Sequence, residues 1–250
     1  MEDLDRPREV AGAATGILST LEAFGLEWDG AVLRQSERGE HYEAALALLE
    51  GRGSTFECSC SRLDLAEEDR YPGHCRGGAR RPGMPTATRL RVDAGMVRFT
   101  DRIQGPCAQD VAQAAGDVII RRRDGLFAYL LAVVVDDAAQ GVTHVVRGAD
   151  LLDNTPRQIY LQRRLGLPTP IYAHVPALSE PDGGKLSKSA RSVPADRTSP
   201  TAELFRVLRL LGLDPPSELS GGRLADLLSW GCMHWSAERV PKRPILPLGG

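Results

Sequence analysis

The cysteines of this chain are concentrated in one short segment, where Cys58, Cys60 and Cys75 fall within 18 residues. Zinc prefers thiolates and takes four ligands in a tetrahedron, so a Cys-x-Cys pair and a third cysteine would supply three ligands from one compact loop. His74 would be the common fourth ligand and Tyr71 a less common one. The spacing predicts a structural zinc, which would hold a loop too poor in apolar residues to fold unaided. The alternative is three buried cysteines without a metal.

A second segment suited to chemistry follows the glycine pair at 183–184. Two lysines three residues apart, together with two hydroxyl side chains, could swing onto a polyphosphate and neutralise the charge that develops on transfer. The same composition is also typical of a solvated surface loop. It is not a Walker A motif, because G-x-x-x-x-G-K-[ST] is absent. The segment consists of Lys185, Leu186, Ser187, Lys188 and Ser189.

Polar residues also interrupt the apolar stretches of the second half of the chain. Arg147 directly follows Val145 and Val146, and Tyr129 lies within the apolar stretch 127–135. Polar side chains at strand ends often line ligand crevices in α/β sheets, and an arginine there can hold a carboxylate with two hydrogen bonds. The alternative is a strand-end arginine paired with a neighbouring acid.

Arginines accumulate in the middle of the chain. Residues 76–102 contain seven arginines and two acids, and Arg121, Arg122 and Arg123 follow shortly after. Such a stripe could track a phosphate backbone, although solvated hairpin faces would give the same pattern. The whole chain has a net charge of −2, so any nucleic-acid contact must come from local patches rather than from bulk charge.

The composition, with 42% hydrophobic and 26% charged residues over 250 positions, is that of an ordinary soluble chain. No apolar run reaches about 18 residues, so the sequence predicts no membrane span. The first residues lack a basic segment followed by an apolar one, which is the pattern of a secretory signal. The odd number of cysteines argues against a disulfide framework. We therefore expect a cytoplasmic protein.

Secondary-structure patterns place these residues on an α/β framework. Strands and helices alternate through the second half, which favours a parallel sheet covered by helices. Segments 87–92 and 96–100 predict two strands joined in a hairpin. Periodicity does not distinguish a strand from a buried helix over 127–135. The stretch 55–115 breaks the alternation and predicts an inserted subdomain.

Four segments together resemble the catalytic domain of the class I glutamyl-tRNA synthetases, namely residues 2–9, 125–137, 141–152 and 185–189. The resemblance extends over roughly residues 2–215 and implies a Rossmann-like α/β fold whose N-terminal part is incomplete. It implies four regions: the remainder of the first half of the catalytic domain at 1–54, an inserted zinc-binding, acceptor-like subdomain at 55–115, the second half at 116–240, and a flexible tail at 241–250.

Within that family, the chain resembles the short paralogues, the glutamyl-queuosine tRNA(Asp) synthetases. Only residues 189–250 follow Lys188, which leaves no room for the large anticodon-binding domain of a glutamyl-tRNA synthetase. The pattern of Cys58, Cys60, Tyr71 and Cys75 is also similar to the zinc site of these paralogues. That resemblance favours Tyr71 over His74 as the fourth ligand.

The resemblance implies that glutamate is activated with ATP in the absence of tRNA and is then transferred to queuosine at the wobble position of tRNA(Asp). Glu2 would pair with the substrate ammonium, Tyr129 and Arg147 would bind the amino acid, and Arg147 would suit its side-chain carboxylate. Lys188 would contact the ATP phosphates with help from Lys185, and magnesium would accompany ATP. We expect a monomer. The alternatives are a catalytic fragment of glutamyl-tRNA synthetase and a catalytically impaired, zinc-containing tRNA-binding relic.

The His-x-Gly-His signature of class I synthetases is absent from the sequence. Because Glu2 already matches the second conserved segment, we expect the matching region to lie upstream of Met1. A late-assigned start codon and a truncated gene both explain this, and we favour the first. We expect the 250-residue form, expressed as written, to be poorly soluble or inactive in ATP–pyrophosphate exchange.

Overall fold

The computed structural model describes residues 1–5, 9–93, 95–179 and 195–247. Its α-helices are α1 (Ala13–Ala23), α2 (Gly39–Gly51), α3 (Val111–Ala114), α4 (Tyr129–Ala139), α5 (Thr155–Leu165), α6 (Pro200–Leu210) and α7 (Leu224–His234). Its strands are β1 (Thr55–Cys58), β2 (Ala87–Leu90), β3 (Met96–Asp101), β4 (Gly105–Asp110), β5 (Val118–Arg121), β6 (His144–Gly148), β7 (Ile171–Val175), β8 (Ala177–Ser179) and β9 (Ile245–Pro247). Within these ranges, no helix has both the length and the apolar content that a membrane span requires.

The first half of the chain contains an antiparallel sheet in the order β1-β2-β5, and β3 pairs separately with β4. The predicted hairpin between 87–92 and 96–100 is therefore wrong. Every residue of β2 is buried, which suits a central strand, whereas β3 alternates between buried and more exposed residues. After β2 the Val92 amide donates to the Asp117 carboxylate at 2.8 Å, and β3 pairs with β4.

The second half contains the parallel pair β6 and β7, in which Arg147 lies opposite His174. The undecided stretch 127–135 belongs mostly to helix α4, which buries Leu131, Ala132 and Val134. Helices α4 and α5 pack against each other. This half therefore matches the alternation of strands and helices that the sequence predicts.

One large hydrophobic core joins both halves of the chain. Tyr42 and Leu49 of α2 pack in the same cluster as Leu90 of β2, Ile120 of β5 and Leu131 of α4. All five residues are completely buried. A smaller cluster lies between α6 and α7, around Leu208 and Leu227. The large core includes residues on both sides of the expected borders at 54/55 and 115/116, and the first sheet joins strands on both sides of 115/116. The four-region division stays a prediction.

Part of the predicted flexible tail forms a strand. Within the predicted flexible tail 241–250, Ile245–Pro247 forms β9 and runs parallel to β8. The approach to β9 is anchored by Val240, which is buried, and Ala177 donates its amide to the carbonyl of Pro244 at 2.9 Å. Proline is compatible with such a short edge strand, where its missing N–H is not needed. The flexibility expected of residues 241–250 stays a prediction.

Candidate functional site

Arg147 lies near the end of β6, and neighbouring residues accept hydrogen bonds from three of its five N–H groups. Its Nε donates to Nε2 of His174 at 3.1 Å, and its Nη2 donates to Thr155 Oγ1 at 2.9 Å and to Gln158 Oε1 at 2.6 Å. Within the described part of the chain, Nη1 has no partner, so its two protons are available to a ligand. The side chain is thus fixed on one side and free on the other. We refer to Arg147, His174, Thr155 and Gln158 with Asp101 as the Arg147 network.

Helix α5 supplies two members of this network from its first turn. Thr155 begins the helix, Pro156 follows in a position that a helix start tolerates, and Gln158 lies three residues on, so both acceptors share one helix face. Both side chains are buried. The buried Nε2 group of Gln158 faces the Tyr129 hydroxyl, whose pKa this hydrogen bond acts to lower.

Two carboxylates and a phenol lie close to Arg147. The charge of Arg147 acts on Glu2, Tyr129 and Asp137, which places all four in one electrostatic neighbourhood. Burial raises the pKa of Glu2, and it raises the pKa of Asp137 to about 6. Burial and the negative charge of Glu2 raise the pKa of Tyr129. The structure therefore brings together Glu2, Tyr129 and Arg147, for which a glutamate-binding role is predicted, and places Asp137 beside them.

Two cavities border this neighbourhood. One, of about 400 Å³, is lined in part by Tyr129, Asn154 and Gln158. The other, of about 340 Å³, is lined in part by Glu2 and Asp137. Each is within the size range of small-molecule sites. The Arg147 guanidinium can bind a carboxylate, and the carboxylates of Glu2 and Asp137 can bind an ammonium. Together they complement the two kinds of charged group that an amino acid carries.

Glu2 is placed by the first residues of the chain, which pair with residues 33–36. The N-terminal amine of Met1 donates to the Leu33 carbonyl at 2.6 Å, and the Gln35 amide donates to the Met1 carbonyl at 3.0 Å. Asp3 accepts from the amide and the hydroxyl of Ser36 at 2.9 and 2.8 Å. These contacts on both sides of Glu2 fix its position.

Asp136 ties this N-terminal region to α4. Its buried carboxylate accepts hydrogen bonds from Gln35 Nε2 at 3.1 Å, from Arg38 Nε at 2.6 Å and from the Tyr42 hydroxyl at 2.8 Å. A buried carboxylate is tolerated when it is satisfied in this way. Because Asp137 follows directly in α4, the same anchor positions Asp137 beside Glu2.

The predicted metal ligands converge in a separate, buried cluster. The Sγ atoms of Cys58, Cys60 and Cys75 all lie within 4.8 Å of one another, and those of Cys60 and Cys75 are 3.6 Å apart. Sulfur ligands of a tetrahedral zinc lie about 3.8 Å apart, given Zn–S bonds of about 2.3 Å. All three thiols are free, so no disulfide accounts for their proximity. The donor set and its spacing fit a zinc ion.

Tyr71 is the better placed of the two candidates for the fourth ligand. Its hydroxyl lies 3.4 Å from Cys58 Sγ and accepts from the Cys75 amide at 2.8 Å, and the side chain is buried. His74 is exposed, with its ring centroid 6.3 Å from that of Tyr71. Although His74 is adjacent to Cys75, its side chain is exposed, and of the two candidates Tyr71 is the one that contacts the cysteines.

The thiols of the cluster differ in their protonation. Burial raises the pKa of Cys60 to about 11. Burial also acts to raise the pKa of Cys75, but hydrogen bonds from the backbones of Arg80 and Ser59 outweigh it and lower the pKa to about 6. Since zinc binds the thiolate, Cys75 is better prepared for it than Cys60.

Several arginines of the basic stripe have structural partners. Arg76 pairs with Asp117 at 2.6 Å, and Arg122 pairs with Asp5 at 2.8 Å. Arg89 is buried, with its guanidinium 3.7 Å from the ring centroid of Tyr71. These three positions therefore support the fold. Arg62 and Arg123 line an open cavity beside Cys58 and Cys60.

The lysine-containing segment cannot be placed in this site, since Lys185, Leu186, Ser187, Lys188 and Ser189 lie outside the described residues. The strand that leads towards them, β8, is held by β9. Their predicted contacts with ATP phosphates stay a prediction.

Comparison with known proteins gives a consistent family assignment. A model of the catalytic domain of class I tRNA synthetases (E and Q) matches residues 1–220. The chain is 55% identical to the Glutamyl-Q tRNA(Asp) synthetase of Ectopseudomonas mendocina over 249 residues, and 51% identical to that of Thiobacillus denitrificans over 253 residues. Both alignments cover 98% of this chain and 84% of the relative.

Solved structures support the same fold. The glutamate-tRNA synthetase of Elizabethkingia anophelis superposes with a TM-score of 0.76 at 20% identity, covering 97% of this chain. This chain spans 59% of that longer protein. A glutamate tRNA ligase from Elizabethkingia meningosepticum, solved in complex with its amino acid, gives a TM-score of 0.75. The chain therefore belongs to the family of class I glutamyl- and glutaminyl-tRNA synthetase catalytic domains.

Proposed function

We propose that this chain is a ligase that activates L-glutamate with ATP and transfers the glutamyl group to queuosine in tRNA(Asp). The substrate and acceptor are those named for its relatives at 51–55% identity. The single observation that supports an amino-acid substrate is the half-free guanidinium of Arg147 in one neighbourhood with Glu2 and Asp137.

In the first step, a carboxylate oxygen of the glutamate α-carboxylate attacks the α-phosphate of ATP, and pyrophosphate leaves. The product is glutamyl-adenylate. Arg147 holds the side-chain carboxylate of glutamate through its Nη1 protons, and Glu2 holds the ammonium with help from Asp137. Lys188 and Lys185 would contact the phosphates of ATP, which would carry magnesium to screen their charge.

In the second step, a hydroxyl of the queuosine ring attacks the activated carbonyl carbon. An ester bond forms, AMP leaves, and the hydroxyl proton is released. The cavity beside Tyr129 and Gln158 has room for a small ligand next to the amino-acid neighbourhood. Glutamate would thus be activated before the tRNA binds.

The cysteine cluster has a separate, structural part in this proposal. Cys58, Cys60, Cys75 and Tyr71 would hold one zinc ion, whose contribution is to fix the loop between β1 and β2. None of the four lines the cavity that contains Glu2 and Asp137, whereas Tyr71 lines the cavity beside Tyr129 and Gln158. Zinc would therefore fix the loop that forms part of the second cavity, and neither step uses the metal itself.

Transfer of labelled glutamate tests the function directly. Incubation of a form extended upstream of Met1 with ATP and tRNA(Asp) that contains queuosine should label the anticodon fragment of the tRNA, and tRNA(Asp) lacking queuosine should stay unlabelled. Label at the 3′ end of tRNA(Glu) would instead identify a glutamyl-tRNA synthetase fragment. Binding of tRNA(Asp) with no formation of glutamyl-adenylate would identify a tRNA-binding relic.

A further inference from the structure

We propose that His174 is a positioning residue for the substrate carboxylate, and that Asp101 sets the His174 tautomer on which this positioning depends. The inference rests on the proposed function, because the carboxylate is that of glutamate held by Arg147. His174 and Asp101 are both completely buried, on β7 and β3 respectively. Neither residue belongs to the group formed by Arg147, Glu2, Tyr129 and Asp137.

Asp101 uses its two carboxylate oxygens differently. Oδ1 accepts three backbone N–H groups, from Ile103 at 3.0 Å, from Gln104 at 2.9 Å and from His174 at 3.1 Å. Oδ2 faces Nδ1 of His174 at 2.6 Å. Because the backbone donors fix Oδ1, the carboxylate cannot turn. Its second oxygen requires a proton on Nδ1.

The opposite nitrogen of His174 must then be an acceptor. Nε2 lies 3.1 Å from Nε of Arg147, which can only donate, and 3.1 Å from the Thr155 hydroxyl. The neutral ring with its proton on Nδ1 satisfies both ends. The other tautomer would place two N–H groups against each other at the Arg147 end. Protonation of the whole ring would do the same.

The surrounding charges fit a neutral ring. Arg147 faces His174 from β6, Asp101 faces it from β3, and the charge of Asp150 acts on it from the segment after β6. Tyr172, on β7 itself, stacks at a centroid distance of 6.1 Å. Burial lowers the pKa of His174, and the two carboxylates oppose this shift without reversing it.

The consequence concerns the free side of Arg147. With Nε fixed by His174, and Nη2 fixed by Thr155 and Gln158, only Nη1 is left to point at a ligand. Loss of the Nε contact would let the guanidinium rotate. The two Nη1 protons would then no longer be held in the orientation that binds a carboxylate.

Asp101→Asn is the sharpest test, since it changes one atom. The three backbone donors would keep the amide oxygen at the Oδ1 position, so the NH₂ group would face His174 and require an acceptor on Nδ1. We expect the ¹⁵N chemical shifts of the His174 ring to change from the Nδ1–H to the Nε2–H pattern. We expect the dissociation constant for glutamate, measured by calorimetry, to rise roughly tenfold or more.

A matched pair of variants at position 174 tests the acceptor without changing Asp101. The amide oxygen of His174→Gln reaches the place of Nε2 and should keep glutamate affinity near the wild-type value. His174→Asn is one methylene shorter, reaches only the place of Nδ1, and should bind glutamate as weakly as Asp101→Asn. In exchange assays with a form extended upstream of Met1, these losses should appear in KM for glutamate rather than in kcat.

Two results would overturn the inference: an Nδ1–H tautomer that persists in Asp101→Asn, or a switched tautomer with unchanged glutamate affinity. Equal affinity of the glutamine and asparagine variants would also contradict it. If the wild-type protein binds no glutamate, the proposed function fails and with it the role in substrate positioning. The nitrogen shifts still test the tautomer on their own.

Discussion

Gly116 lies so close to Tyr71 that a Cβ atom at position 116 would stand 2.2 Å from the Tyr71 carbonyl oxygen. The two residues form an isolated parallel bridge, and the Tyr71 amide donates to the carbonyl of Ala115. Gly116 also has a φ of +65°, which side chains rarely adopt. This close approach places Tyr71 in the cysteine cluster.

Gly116→Ala should therefore weaken both the fold and the metal site. The strained φ alone costs about 1–2 kcal/mol, and the contact with backbone adds to it, because the Tyr71 carbonyl cannot turn away as a flexible side chain would. We expect a loss of roughly 2 kcal/mol or more in the free energy of unfolding, measured in urea, with weaker zinc retention. Gly53→Ala is the matched control, since Gly53 has a similar φ of +62° and nothing lies within 4 Å of a Cβ there. Equal effects of both variants would contradict the proposed contact.

Metal analysis should find one zinc per chain, with Tyr71 and not His74 as the fourth ligand. Tyr71→Phe removes only the hydroxyl and keeps the ring beneath Arg89. We expect it to lower zinc affinity roughly tenfold or more. His74→Ala should leave affinity unchanged, because His74 is exposed. Cys58→Ser should abolish stoichiometric binding. Competition with a chelator measures all three, and a larger effect at His74 than at Tyr71 would exchange their roles.

The sequence predicted the cysteine cluster well because its members are close along the chain. Cys58, Cys60, Tyr71 and Cys75 need only one loop to meet, and their residue types alone indicate thiolate chemistry. The partners of the basic stripe were not predictable in this way. Arg76 finds its acid at Asp117, 41 residues away, so the charge pattern alone could not separate structural arginines from free ones.

The surroundings of Arg147 show the same limit. Its position after an apolar strand suggested a ligand-binding role, but His174 becomes its neighbour only through the parallel register of β6 and β7. Asp101 is still more distant from His174 along the chain, and it contacts His174 from β3, which pairs with β4. The elevated pKa of Asp137 depends on burial that no local pattern encodes. The same holds for the hairpin expected between 87–92 and 96–100, because β2 pairs instead with β1 and β5, which are more distant along the chain.

Tyr42→Phe should test the anchor that positions the N-terminal region. The substitution removes one of the three donors to the buried Asp136 carboxylate and leaves the ring packed edge-on against Phe127. A hydrogen bond to a charged group contributes about 1.5–3 kcal/mol, so we expect a loss near the lower end, since Gln35 and Arg38 remain. Urea unfolding measures it. Glutamate affinity should also fall, because the same anchor positions Glu2. Tyr160→Phe removes a hydroxyl that contacts Arg91, Asp93 and Arg164 outside this anchor, so it should leave glutamate affinity unchanged.

Asp137→Asn should separate stability from ligand binding. The folded pKa of Asp137 is raised to about 6, whereas a free aspartate titrates near about 3.9. Its stabilising contribution is therefore complete below pH ~4 and is lost as pH rises through about 6. The permanently neutral asparagine should make the protein more stable than wild type at pH 8, with a difference that shrinks towards pH 4. At pH 8 its affinity for glutamate should be lower than that of the wild type.

In the wild-type protein, affinity for glutamate should increase between pH 5 and 7, as Asp137 gains the charge that attracts the substrate ammonium. Asp137→Asn should bind glutamate more weakly at pH 8 and should show a flatter pH dependence. The remaining slope would come from Glu2, whose pKa is also raised by burial. Asp226→Asn, an exposed aspartate on α7, should leave both profiles unchanged. Calorimetric titration and urea unfolding across pH 5–8 provide the two measurements. A variant that loses stability at pH 8 while keeping full affinity would show that Asp137 supports the fold rather than the ammonium.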